Sequence, residues 1–376
     1  MARNIDGRLK NLRVRRHGTD RLDRVAMDSV ASVVAKSQLN EKWEGRAKDR
    51  PYTRYAIGAM EAVDADYTRI SLEIAERVGR QLLSALSGDY SIDFRLQGSV
   101  PLDVHIRGVS DVDLLNLDDS FLTYATAGPR SQRGGYTNPT TRTSIGVLSS
   151  LRAASASALR KAFPAAEVDA SGSKAIKISG GSLARPVDVV PSHWHDNVQY
   201  QASGNEVDRT VTILDSKANR TIDNLPFVHI ARVRQRCDST HGGLRKGIRL
   251  AKNVKADAIR EGTKINLPSF DIAAIMYHAD QNALAACQFY ELAVLAETQR
   301  HFDHLATNHA HAKTLLVPDG SRRIFDTSEK LDALNTLSLE LDDLAREVAK
   351  EQSALYRLID PTLQQSRSAI EKVYVA

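Results

Sequence analysis

Strand-like sequence is confined to the middle of this 376-residue chain, and helical periodicity fills most of the rest. Short apolar or alternating runs, each typical of a β-strand, occur at residues 92–96, 111–117, 167–170, 175–179 and 186–190. Glycine-containing turns separate the last three runs, as in a meander. After about Pro226 the spacing is helical, with candidate helices at 229–255, 270–281, 289–305, 328–356 and 362–373. This division predicts an α/β (α+β) fold, in which a mixed sheet flanked by helices precedes a helical lobe.

The first ninety residues contain no strand pattern. Residues 1–20 are rich in arginine and poor in large apolar side chains, which favours a partly mobile basic arm. Helical spacing follows at 22–34 and again in a long run at 55–86 that ends in Ser-Gly-Asp. We therefore predict three parts: a basic arm (1–20), a catalytic lobe with N-terminal helices (21–225) and a helical lobe (226–376). The interface between two lobes is a favoured place for a ligand cleft.

Composition bears on the binding partners and on the cellular compartment of the protein. The formal net charge is +5, from 51 Lys and Arg against 46 Asp and Glu, which suits a polyanionic partner but is common among enzymes. Cys237 and Cys287 form neither a zinc-ribbon spacing nor a disulfide framework, which indicates a reducing compartment. No segment approaches the roughly 20 apolar residues of a membrane span, and the basic N-terminus lacks the apolar core of a secretory signal. These features predict a cytoplasmic protein.

Three acids lie in strand-like runs. Asp111 and Asp113 stand two apart, so both carboxylates project from one face of a strand. Two carboxylates at such a short separation repel each other unless a cation lies between them. A pair of catalytic metal ions about 3.5–4 Å apart needs bridging oxygen ligands of this kind. Asp188 supplies a third acid inside the β-branched run Arg-Pro-Val-Asp-Val-Val-Pro. It could bind one metal ion and act as general base on an attacking hydroxyl.

A Gly-Ser pair, Gly98-Ser99, follows the first strand and precedes the Asp-x-Asp pair. Glycine lets the backbone approach a phosphate closely, and the serine hydroxyl and nearby N–H groups can donate to its oxygens. An isolated Asp-x-Asp is more often a solvated strand edge. The order Gly-Ser turn, Asp-x-Asp and third strand aspartate favours the functional interpretation here.

Two further features of the sequence argue against other kinds of nucleotide or metal site. The chain has neither a Walker A sequence nor a G-x-G-x-x-G fingerprint, which excludes P-loop and Rossmann sites. Histidines occur close together in two places, but no cysteine accompanies them, so we expect no zinc site. They are His193, His195, His301, His304, His309 and His311.

Three strings, LQGSV, SDVDLLNL and RPVDVVPSHW, carry a family resemblance. They resemble the nucleotidyltransferase fold of the DNA polymerase beta superfamily, and within it the cGAS/DncV-like nucleotidyltransferases of bacterial anti-phage defence. The family pattern is Gly-Ser, about ten residues, (S/T)-D-x-D, and a later aspartate often followed by Val-Pro. The resemblance covers roughly residues 50–350, and Thr210–Pro226 resembles the family's link into its helical lobe. It implies a polymerase-beta-like core with a C-terminal helical lobe.

The resemblance continues in the helical lobe. The segment Arg249-Leu-Ala-Lys252 resembles the helix whose lysine holds the donor triphosphate. Ser269-Phe270 resembles a Ser-Tyr pair whose serine contacts the phosphates and whose ring stacks on the donor base; phenylalanine keeps the stacking and loses the hydroxyl. The alternatives are a solvated lysine on a basic helix, and a helix N-cap beside a core aromatic residue.

The resemblance implies a synthase of cyclic or linear oligonucleotide second messengers in CBASS-type defence. Asp111, Asp113 and Asp188 would hold two Mg²⁺ ions, for which Mn²⁺ could substitute, and the substrates would be ATP, GTP or other nucleoside triphosphates. A downstream effector would sense the product, and a nucleic-acid activator is left open. Two rivals stay open: transfer of nucleotides to tRNA, other RNA or protein, and an inactive fold that binds nucleic acid.

Overall fold

A computed structural model describes residues 4–18 and 41–376. The helix predicted at residues 22–34 lies outside the described residues. The strands are β1 Ile92–Gln97, β2 Val112–Tyr124, β3 Glu167–Asp169, β4 Ile176–Ser179, β5 Val187–Asp196, β6 Thr210–Asp215 and β7 Arg220–Asn224. The predicted mixed sheet with a C-terminal helical lobe is confirmed.

One mixed sheet contains all seven of these strands. Its main order is β1-β2-β5-β4-β3, in which β2 and β5 run parallel and the other neighbours antiparallel. The β3-β4-β5 meander is confirmed. The second half of β5 pairs with β6, which pairs with β7, so the segment Thr210–Pro226 contains a hairpin that the sequence interpretation missed.

The helices surround this sheet and form the C-terminal half. They are α1 Ile5–His17, α2 Pro51–Met60, α3 Ala65–Leu86, α4 Pro129–Gln132, α5 Ser144–Ala162, α6 Val198–Ser203, α7 Pro226–Ser239, α8 Gly243–Arg260, α9 Ser269–Tyr277, α10 Gln281–Ala285, α11 Ala293–Thr307, α12 His309–Ala312, α13 Ser328–Gln352 and α14 Leu363–Ile370. Short 3₁₀ turns occur at Lys42–Gly45, Glu206–Asp208, Ala286–Gln288 and Leu355–Arg357. No helix of the described residues is both long and apolar enough to cross a bilayer.

Two of the predicted long helices are interrupted. The run at 55–86 is divided between α2 and α3, because Asp64 caps α3 by accepting a hydrogen bond from the backbone N–H of Asp66 at 2.7 Å. The run at 229–255 is divided between α7 and α8, where Gly242 adopts a φ of +85°. In both places a local turn overrides a continuous helical pattern.

The face of the sheet that packs under α3 and α5 is apolar. Its core includes Val112 and Leu114 of β2 together with Val187 and Val189 of β5. Because side chains alternate along a strand, the residues between them project from the opposite face. Because of this alternation, Asp113 and Asp188 project away from the apolar core under α3 and α5 and toward the helical lobe.

The prediction of a mobile arm at residues 1–20 is wrong for residues 4–18. These residues contain α1, whose last turn ends in a left-handed glycine cap at Gly18. Arg8 and Arg15 are buried and pair with acids of the helical lobe, which explains why a basic segment folds here. The domain boundaries themselves stay a prediction, although α7 does begin at Pro226.

Candidate active site

A row of polar side chains crosses five adjacent strands on the open face of the sheet. Asp113 of β2 lies opposite Gln97 of β1 and opposite Asp188 of β5. Lys177 of β4 lies opposite Asp188 on the far side and opposite Asp169 of β3. Residues that face each other across neighbouring strands share a face of the sheet, so these five side chains project together.

Asp111 joins this row from the residue just before β2. It stands two positions before Asp113 and therefore on the same side of the chain. Its carboxylate Oδ2 accepts a short hydrogen bond from the ammonium Nζ of Lys177, and the Asp111 side chain is 28% exposed. The structure thus brings together the three acids that the sequence analysis selected.

The three carboxylates repel one another. Burial and the nearby Asp188 and Asp111 raise the pKa of Asp113 to about 7, although Lys252 and Lys177 oppose the shift. Burial and Asp111 also raise the pKa of Asp188. An excess of negative charge therefore lies where β2 and β5 begin.

This set of oxygen ligands suits a hard divalent cation such as Mg²⁺, since no thiol or imidazole belongs to it. In the described part of the chain, no three carboxylate, imidazole or thiol groups are yet placed to share one ion. Asp111 in particular is engaged by Lys177. The chemistry of the site fits metal ions, and binding them requires a side-chain rearrangement.

The Gly-Ser turn contacts the acids directly. Gly98 adopts a φ of +79°, and a Cβ atom there would collide with the carboxylate of Asp113. The backbone carbonyl of Ser99 accepts a hydrogen bond from the N–H of Val104 at 3.1 Å, so the turn folds back beside the sheet. The predicted position of this turn next to the acids is thus observed.

Lys252 reaches the same place from the helical lobe. Only 3% of it is exposed, and its ammonium donates to the carbonyl of Val104 at 2.8 Å. Burial lowers its pKa to about 7, while the attraction of Asp113 acts the other way. Arg249, one turn earlier, is also buried and donates to the carbonyl of Met60 at 2.8 Å. The alternative of a solvated basic helix is wrong for these two residues.

Ser269 and Phe270 begin α9, and Phe270 belongs to an aromatic cluster separate from the acids. Pro268, not Ser269, holds the N-cap position, so the alternative role of Ser269 as N-cap is wrong. Phe270 is 39% exposed, and its ring stacks on the imidazole of His229 at a centroid distance of 4.3 Å. The guanidinium carbon of Arg322 lies 5.4 Å from the centre of the same ring. An exposed, supported aromatic ring of this kind can stack on a planar base.

Three residues of these clusters were missed in the sequence. Lys177 could have been found, because it is the outward residue of the alternating run Ile176–Ser179. His229 carried no local signal, and its burial lowers its pKa to about 4. Arg322 is distant in sequence from Phe270, so local spacing gave no signal for their contact.

A row of carboxylates on an open sheet face, beside a Gly-Ser turn and facing a lysine of a helical lobe, is typical of nucleotidyltransferases. A model of the cGAS/DncV-like nucleotidyltransferase C-terminal helical domain matches residues 231–346. The cyclic dinucleotide synthase CdnE of Yersinia aleksiciae is 44% identical to this chain over 358 residues, which cover 92% of this chain and 93% of that protein. The chain therefore belongs to the cGAS/DncV-like nucleotidyltransferases.

Solved structures are similar in the same way. A STING-associated CdnE c-di-GMP synthase from Capnocytophaga granulosa matches with a TM-score of 0.68 and 25% identity, over 91% of this chain and 97% of that one. The CdnE c-UMP-AMP synthase of Rhodothermus marinus, solved with Apcpp and Upnpp, matches with a TM-score of 0.53 and 19% identity, over 73% of this chain and 94% of that one. The second likeness concerns the fold alone.

Proposed function

We propose that this nucleotidyltransferase makes a cyclic dinucleotide from nucleoside triphosphates as a second messenger of CBASS-type defence. The observation that supports this most is the convergence of Asp111, Asp113 and Asp188 on one sheet face, next to Gly98 and Lys252. The 44% identity to a cyclic dinucleotide synthase supports the same product class. In this proposal residues 21–225 form the catalytic lobe and residues 226–376 the helical lobe.

The role of each residue is proposed from its position and from the family resemblance. Asp111, Asp113 and Asp188 would hold two Mg²⁺ or Mn²⁺ ions, which supply charge stabilisation at the phosphates and lower the pKa of the attacking hydroxyl. Gly98 and Ser99 let the triphosphate approach the backbone. Lys252 and Ser269 bind its oxygens, and Phe270 stacks on the donor base.

The reaction is an in-line displacement at the α-phosphorus. A 2′- or 3′-hydroxyl oxygen of the acceptor forms the new P–O bond, the α–β phosphoanhydride bond breaks, and pyrophosphate leaves. Asp188 accepts the hydroxyl proton as general base. A second turnover within the linear intermediate closes the ring.

GTP is the first substrate to test, because the similar CdnE of Capnocytophaga granulosa is a c-di-GMP synthase. ATP is the second, and mixtures of the two follow. The product would act on a downstream effector, as expected of a second messenger.

The test incubates the purified protein with α-³²P-labelled nucleoside triphosphates, singly and in pairs, with Mg²⁺ or Mn²⁺. We expect a phosphatase-resistant product whose mass equals that of two nucleotides joined in a ring. Asp113→Asn is the control and should yield none. A folded wild-type protein that forms no such product from any mixture would refute the proposal.

A further inference from the structure

Lys177 pairs with Asp111, one of the three acids that we propose as metal ligands. Its ammonium contacts Oδ2 of Asp111, with 45% of the lysine side chain and 28% of the aspartate side chain exposed. Lys177 comes from β4 and Asp111 from the start of β2, so the contact spans the two strands that flank β5. The pair thus lies across the part of the row where the three acids converge.

The two lysines near the acids differ in freedom. Lys252 is fully buried and donates to a backbone carbonyl at 2.8 Å, which fixes its ammonium. Lys177 is half-exposed on a flexible four-carbon stem, so its ammonium can change position without disturbing the core. Of these two described lysines, Lys177 is the one whose ammonium contacts an oxygen of a proposed metal ligand.

Lys177 has a second acidic neighbour on its outer side. Asp169 of β3 lies directly opposite it, is exposed, and already accepts a hydrogen bond from the backbone N–H of Ser171 at 2.8 Å. A lysine between an inner acid, Asp111, and an outer acid has favourable positions on both sides. It can leave the inner acid without becoming an unpaired charge.

We propose that Lys177 is a tethered counter-ion, which neutralises Asp111 until a divalent cation displaces it and then binds a phosphate of the incoming nucleotide. This inference rests on the proposed function, since it takes the acids to be metal ligands. An ammonium and a divalent cation cannot share the same carboxylate oxygen without strong repulsion. The released ammonium stays on the face that the nucleotide approaches, so Lys177 opposes binding of metal alone and favours binding of metal with nucleotide.

The test measures metal binding without turnover. Mn²⁺ is titrated into the nucleotide-free protein by calorimetry, and a non-hydrolysable GTP analogue is then titrated at saturating Mn²⁺. The variant is Lys177→Met, which keeps the length of the stem and removes the charge. Lys174→Met is the matched control, because Lys174 is an exposed lysine three residues earlier.

We expect Lys177→Met to bind Mn²⁺ alone about tenfold more tightly, equal to about 1.4 kcal/mol, and to bind the analogue more weakly than wild type. Lys174→Met should behave as wild type in both titrations. These opposite signs are not expected of a residue with a merely structural role. Lys177→Gln repeats the measurement if Lys177→Met is poorly folded by circular dichroism.

A folded variant that binds Mn²⁺ with the wild-type affinity, or more weakly, overturns the inference. The two proposals fail differently. If wild type makes a cyclic product and the variant binds Mn²⁺ no more tightly, only the role of Lys177 is lost. If wild type neither binds Mn²⁺ nor makes product, the proposed function is lost as well.

Discussion

Two groups of buried acids in this molecule are built in opposite ways. Asp257 of α8 is fully buried and accepts hydrogen bonds from both terminal nitrogens of Arg15, at 2.8 and 3.0 Å, and from the hydroxyl of Tyr55 at 2.6 Å. Asp113 of β2 is also largely buried, but its closest charged neighbours include two more carboxylates, and burial together with their charge raises its pKa. The hydrogen-bonding groups of Asp257 are paired within the fold, whereas the negative charge around Asp113 is not fully neutralised by the surrounding residues.

The comparison separates a structural acid from a ligand-binding one. A buried acid with complete hydrogen bonds contributes to the fold, and removing its partner is expensive. An acid among other acids weakens the folded state until a ligand neutralises it. The molecule therefore concentrates its electrostatic strain at the sheet face that we propose to be catalytic. Four experiments can break or sharpen this contrast.

The largest effect is expected from Asp113→Asn. The substitution removes a proposed metal ligand without changing the shape of the side chain, so turnover should fall by about 10³-fold or more, equal to about 4 kcal/mol. The metal-free protein should melt at the same or a higher temperature, since one of three repelling charges is gone. Rates of cyclic product formation and calorimetric melting measure the two effects. A large fall in melting temperature would place Asp113 with the structural acids instead.

Arg15→Met tests the structural acid of the comparison, Asp257. It leaves Asp257 buried without its guanidinium partner, so the free energy of unfolding should fall by about 3–5 kcal/mol. Turnover per folded molecule should change little at temperatures where the variant stays folded. Chemical denaturation measures the loss, with the exposed Lys10→Met of the same helix as the matched control. Equal stability of the two variants would contradict the structural role of this ion pair.

The third prediction concerns pH. A carboxyl group whose folded pKa is raised to about 7 from 3.8 stabilises the folded state at low pH, and this contribution is lost as the pH rises from about 4 to about 7. At about 1.4 kcal/mol per pKa unit, a rise from 3.8 to about 7 corresponds to a loss of at most about 4 kcal/mol in the free energy of unfolding.

The measurement compares wild type with Asp113→Asn, both metal-free, by denaturation across this pH range. The difference between the two proteins reports on Asp113 and on its coupling to Lys252, whose pKa the carboxylate of Asp113 raises. Their stability curves should converge toward pH 4 and separate toward pH 7. Parallel curves would show that Asp113 has an ordinary pKa.

The smallest effect is expected from Phe270→Ala. Stacking of a base on an aromatic ring contributes about 1–3 kcal/mol, so KM for the nucleoside triphosphate should rise about tenfold with a smaller change in kcat. Phe270→Tyr restores the hydroxyl of the family pattern and should leave KM nearly unchanged. Initial-rate kinetics decide the matter. An unchanged KM in the alanine variant would remove this ring from the proposed base site.

The sequence predicted the acid row because strand alternation is a local signal. Two positions of separation place Asp111 and Asp113 on one face, and the apolar neighbours of Asp188 mark its strand. The parallel pairing of β2 with β5, which brings Asp113 opposite Asp188, was implied only by family resemblance. Periodicity alone does not determine which strands become neighbours.

Contacts distant in sequence account for what was missed. Arg15 meets an acid 242 residues away, so nothing near α1 indicated that its arginines would be buried. Lys177 becomes informative only when β4 is known to lie beside β5. The break between α2 and α3 is a different case. Asp64 is a typical N-cap residue that the sequence shows, but the helical spacing continues across it and favoured one long helix.

Helix α8, which carries Lys252, is held in place by the N-terminal helix α1. Arg15 donates to Asn253 at 2.9 Å, one residue beyond Lys252 in α8, and to Asp257 about one turn further on. A fusion, cleavage or partner that displaced α1 would thus leave the buried Asn253 and Asp257 of α8 without these hydrogen bonds. Residues 4–18 therefore belong to the folded protein, and an expression tag should be placed where it leaves α1 docked on α8.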